Sequence, residues 1–194
     1  MLEFHDKKAE ACFEQVMGTI SAYVEREAPG YISEIKSSIN DSNALLEMYD
    51  AVGRIEDATD GANRAELATV ALISLSLILT LIRNNEIPGD QKIIVDDEMV
   101  KRTAPSFTAL AESITKVCAS FSGALRLAMA NKDLDSMFSR FMRQFDGLML
   151  CQIIAICMLI IAYQAACVID GAAKDNKKDE IPPIMFGPVS DEIN

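Results

Sequence analysis

The chain has 194 residues, half of them apolar, with 29 acidic against 18 basic side chains and a mean hydropathy of +0.16. That is enough apolar material for one domain with a sizeable core, and it excludes a disordered polar tail, which combines low hydrophobicity with high net charge. A net charge of −11 also argues against a nucleic-acid binder, because neutralising phosphates requires an excess of Lys and Arg.

Proline stands at positions 29, 88, 105, 182, 183 and 188, so long tracts between them are free of the strongest helix breaker. The first tract, from about Asp6 to Ala28, places Phe13, Val16, Met17, Ile20 and Val24 on one helical face, and Pro29-Gly30 supplies the stop. A second helical tract runs from Tyr31 to about Ala58. Its apolar stripe passes from Ile32, Ile35 and Ile39 to Leu45, Met48, Val52 and Ile55, with a shift near Asp41-Ser42-Asn43 that marks a kink or a fresh N-cap.

Asn63 with Glu66 three residues on has the spacing of a capping box, and a helix is expected to follow as far as Arg83. Lys92-Ile93-Ile94-Val95 has no partner strand elsewhere and reads as irregular chain. From Ser106 to Ala130 the residues Phe107, Leu110, Ile114, Val117, Phe121, Leu125 and Ala128 recur at three and four, the clearest amphipathic stripe in the sequence. Asp133 is positioned to cap a last helix running through Met137, Phe138, Phe141 and Phe145 to Ile169, with Gly171 as terminator. The expected fold is therefore all-α, a bundle of about five helices. Its parts are an acidic amphipathic region (1–62), an apolar helical core region that is a candidate for membrane insertion (63–171), and a charged, proline-containing tail (172–194).

Two tracts bear on class. Residues 147–169 form 23 consecutive positions without a formal charge, the length that crosses a bilayer; Leu67 to Ile82 gives 16 and belongs to the second apolar helix, 64–83. In the longer tract Cys151, Ala155, Ala162 and Ala166 share a face that admits a close helix neighbour, and in the shorter one Thr69, Ser76 and Thr80 make a hydroxyl stripe. These seven residues are the candidate helix-packing face. Gln152 and Gln164 would sit near interfaces in a bilayer, whereas in a soluble bundle each needs a buried partner. Basic residues flank both tracts on both sides, so a positive-inside bias is absent.

Catalytic and cofactor motifs are sparse. The one histidine, His5, lies beside a fraying terminus, so its replacement by Ala is expected to leave any activity intact. Cys12, Cys118, Cys151, Cys157 and Cys167 include no C-x-x-C pair for zinc, and an odd count suits a reducing compartment. No P-loop or G-x-G-x-x-G occurs. Glu56, Asp57, Asp60 and Gly61 lack the later ligands of a calcium loop. Asp96-Asp97-Glu98 reads as helix-start capping rather than as a cation site, and Phe138, Phe141 and Phe145 read as core ahead of a partner anchor. No cofactor or metal is expected.

Charge is uneven: residues 1–66 hold 14 acids and 6 bases, 67–146 hold nine of each, and 147–194 hold six acids and three bases. Such a field repels anionic headgroups and nucleic acid and steers a basic partner. The leading expectation is a small non-catalytic helical protein in or on a membrane, acting through helix or protein contacts or self-association, with a lipid bilayer as the further partner. The alternative is a soluble acidic bundle, cytoplasmic or secreted without a cleavable signal, serving as adaptor, effector or secretion-system partner with a buried central helix.

Overall fold

In the computed structural model, residues 4, 6–87, 93, 95–131 and 133–171 are described, the last three as backbone only. Among them the fold is all-α, with eight helices: α1 (Lys7–Glu27), α2 (Tyr31–Asn40), α3 (Ser42–Ala58), α4 (Arg64–Arg83), α5 (Asp97–Val117), α6 (Ala119–Met129), α7 (Leu134–Arg143) and α8 (Leu150–Gly171). His5, Lys92, Ile94 and the tail 172–194 lie outside the described residues.

Side-chain caps start four of these helices, because each leaves backbone N–H groups that a short polar side chain can accept from. Asp6 accepts from Lys8 N, Asp41 from Asn43 N and Ala44 N, Asn63 from Glu66 N, and Asp96 from Met99 N. The Asn63–Glu66 capping box is complete, with Asn63 N donating back to Glu66 Oε2 at 3.0 Å. Pro29-Gly30 does turn the chain: Gly30 sits at φ +93, open to glycine at little cost.

The expected count of about five helices is corrected to eight, because three tracts divide. Asp41 splits the second tract by supplying a new cap, the fresh N-cap that the shift in its stripe admits. Pro105 is no boundary. It lies inside α5, which begins at Asp97, well before the expected start at Ser106. The lost N–H would have served the Lys101 carbonyl, and both residues are exposed, so water can satisfy that group. The break falls instead at Cys118, whose φ −136 and ψ 83 separate α5 from α6. The last tract divides at Gly147, which adopts φ +87, and Asp133 makes no side-chain cap bond.

α8 is the axis. It packs against α4 and α1 most extensively and also touches α2, α3 and α6, while α5, α6 and α7 close over α4. Arg64 Nη1 reaches the Cys167 carbonyl at 3.2 Å, so the start of α4 meets the end of α8 and the two run antiparallel. One continuous core joins Cys12 to Ala28 of the acidic region with Leu67 to Leu79 and Cys151 to Ala165 of the apolar region. Among the described residues two helices, α4 and α8, are long and apolar enough to cross a membrane, at mean hydropathy 2.2 each. They are also largely covered: 78% of the α4 window and 89% of the α8 window are buried inside the protein.

Candidate functional site: a groove between α5 and α7

Each residue of the expected helix-packing face is buried. Ala162 and Ala166 are fully covered, and Cys151 turns toward α2, its Sγ 3.3 Å from Ser38 Oγ. The hydroxyl stripe is fully buried as well. Thr69 donates to Ala65 O (2.6 Å), Ser76 to Leu72 O (2.8 Å) and Thr80 to Ser76 O (2.8 Å), so the helix's own carbonyls satisfy them. Thr80 Oγ1 also lies 3.3 Å from Ser106 Oγ, and the Ser106 carbonyl accepts from Tyr23 Oη at 3.2 Å. Ser106 thereby ties α5 to both α4 and α1.

The two glutamines of α8 diverge. Gln152 is completely buried; its Oε1 accepts from Met149 N at 2.7 Å, and its Nε2 faces Ala44 O at 3.2 Å and Glu47 Oε2 at 3.1 Å. Its amide therefore has the buried partners that a soluble bundle requires. Gln164, equally covered, has neither amide atom hydrogen-bonded.

All five cysteines are buried thiols. Burial first, then the neighbouring Cys118, pushes the Cys12 thiol up from 9.0 to about 12, and burial alone pushes Cys157 up. Neutral, covered thiols are poor nucleophiles and poor metal ligands. Among the described residues no cluster of three or more His, Cys, Asp or Glu is arranged to hold a metal ion.

The surface feature that stands out lies elsewhere. One face of α5 (Val100, Thr103, Ala104, Phe107) opposes one face of α7 (Leu134, Asp135, Phe138), with Ile73 and Leu77 of α4 as floor, enclosing a cavity of about 450 Å³. A second cavity of about 750 Å³ continues from it along α7 past Ser139, Met142 and Arg143 to Asp146; Val95, Val100, Asp135 and Phe138 line both. Together they form one groove. Val95, Val100 and Met129 are exposed apolar side chains on its walls. Thr103 Oγ1 is buried there without a hydrogen-bond partner.

The aromatic triad divides accordingly. Phe141 and Phe145 are core and pack edge to face at 5.0 Å, whereas Phe138 is half-buried and lines the groove. Sequence reasoning missed this site because its walls come from four helices; the local signal was the surplus of apolar residues off the core stripes, Val95, Val100 and Met129. Asp96 caps α5 as expected and contributes to the groove rim.

Comparison of this chain with protein-family models, with curated proteins and with solved structures returns no match.

Proposed function

We propose that this chain is a soluble, non-enzymatic helical bundle that acts through protein contacts, with α4 and α8 as its core. The observation that carries this is the cover over the two apolar helices. Most of both spanning-length windows lie inside the protein, and Gln152 of α8 bonds across to Ala44 and Glu47 of α3, so that part of the helix faces protein. Buried, up-shifted thiols support a non-catalytic role. Of the two expectations, this is the soluble alternative.

Membrane association is the second reading, favoured by the length and hydropathy of α4 and α8. Expression without detergent separates the two. The proposal expects monodisperse protein in the high-speed supernatant with one sharp thermal transition. Recovery only in the alkaline-carbonate-resistant membrane fraction would establish the second reading in its place.

A further inference from the structure

We infer that the α5–α7 groove is a docking site for a basic amphipathic helix of a partner protein. The inference rests on the reading of the chain as a soluble contact module and names the partner's chemistry.

The groove has the three attributes that such a ligand requires. Its walls are helical faces: Asp97 to Phe107 on α5 and Asp135 to Arg143 on α7 extend over about 12 to 15 Å at 1.5 Å per residue, room for two to three turns of a further helix. Its interior is apolar and adaptable. Phe138 and Phe107 offer flat surfaces, and Met129 and Met142 offer flexible thioethers that fit varied side chains.

Its rim is acidic. Among the described residues, Asp96, Asp97, Asp135 and Asp146 are exposed around the larger cavity, against Arg143 of opposite sign. Unlike charges placed around an apolar seam select orientation and partner, so the complementary ligand carries Lys or Arg beside an apolar stripe. An acidic helix or an anionic lipid surface would meet four carboxylates. Thr103 gives independent support. Its side chain is more than nine-tenths buried in the groove, yet its hydroxyl lacks a partner, a cost that a polar group of an occupant would remove.

The test uses the full chain and a designed, fluorescently labelled peptide of about 14 residues, with Leu on one helical face and Lys on the other. Fluorescence anisotropy is measured against wild type, Val100→Asp, and the pair Asp97→Asn with Asp135→Asn. Leu127→Asp, at an exposed position outside the groove, controls for nonspecific attraction. Val100 is itself exposed, so its variant keeps the fold, and thermal melts verify this. The expected result is saturable binding that weakens by at least about tenfold in Val100→Asp, weakens with salt and in the Asn pair, and is unchanged in Leu127→Asp.

Absence of saturable binding overturns the inference, as does equal binding by all variants. A Glu-for-Lys peptide that binds as well as the basic one does the same. Dimerisation that Val100→Asp abolishes assigns the groove to a second copy of the chain instead. A chain that requires detergent fails the underlying reading, whereas a soluble chain whose groove variants bind normally fails only this inference.

Discussion

Arg64, the first residue of α4, donates from Nη1 to the carbonyl of Cys167 near the end of α8 at 3.2 Å. A guanidinium near the C-terminal end of a helix meets the negative pole of its dipole, so one side chain links the two most apolar helices where the start of α4 meets the end of α8. Arg64→Ala is expected to lower stability by about 1 to 2 kcal/mol, the range for a charge-assisted hydrogen bond in a partly buried setting. Urea unfolding of wild type and variant measures it, and an unchanged midpoint would refute the link.

The capping box gives a graded pair. Asn63→Ala removes the cap on Glu66 N and should cost about 1 kcal/mol. Glu66 also accepts from Asn131 Nδ2, which ties α4 to the turn before α7. Glu66→Ala should therefore destabilise more than Asn63→Ala, and the reverse order in paired urea titrations would show that the contact to Asn131 contributes nothing.

Gly147 separates α7 from α8 at φ +87, and a Cβ there would meet nothing within 4 Å. The penalty for Gly147→Ala is thus purely conformational, about 1 to 2 kcal/mol for a side chain held in the left-handed region. A variant as stable as wild type would mean that α7 and α8 can join into the continuous helix that the sequence pattern suggests.

Ile156 is fully buried near the middle of α8. With α8 as a soluble core, Ile156→Arg places an unpaired charge among apolar neighbours and is expected to cost at least about 3 kcal/mol, abolishing cooperative unfolding and solubility. With α8 in a bilayer, the same variant instead shifts protein out of the carbonate-resistant fraction, since translocon scales assign about 2.5 to 3.5 kcal/mol against a charge there. Fractionation and a thermal melt on the same preparations separate the outcomes.

The thiols give a pH prediction. Burial raises the Cys12 pKa from 9.0 to about 12, so the fold favours the neutral thiol while the unfolded chain releases its proton from about pH 9.0 upward. This contribution is complete below pH 9.0 and is lost as pH climbs toward 12. Stability should fall across that interval, and less steeply in Cys12→Ala. At pH 8 the native protein should resist a thiol-specific disulfide reagent, while all five cysteines react in denaturant. Rapid native labelling, or an identical alkaline slope in the variant, would contradict this account.

The all-α class and the helix starts at Asp41 and Asn63 were legible in the sequence, because periodicity and capping operate within a few residues along the chain, whereas at α5 the capping role of Asp96 was legible but the helix was expected only from Ser106. The breaks at Cys118 and Gly147 escaped it. A Cys carries no turn signal, and a single Gly inside an apolar run reads equally well as helix. Tertiary structure alone decided what surrounds α8. A helix that is apolar on every side has no face to orient it, so its sequence does not name α1 and α4 as the helices it packs against. The Gln152 bonds to Ala44 and Glu47 span more than 100 residues of chain, and the groove exists only where α4, α5, α6 and α7 converge. Such contacts depend on where the folded chain brings distant segments together, which no local pattern encodes.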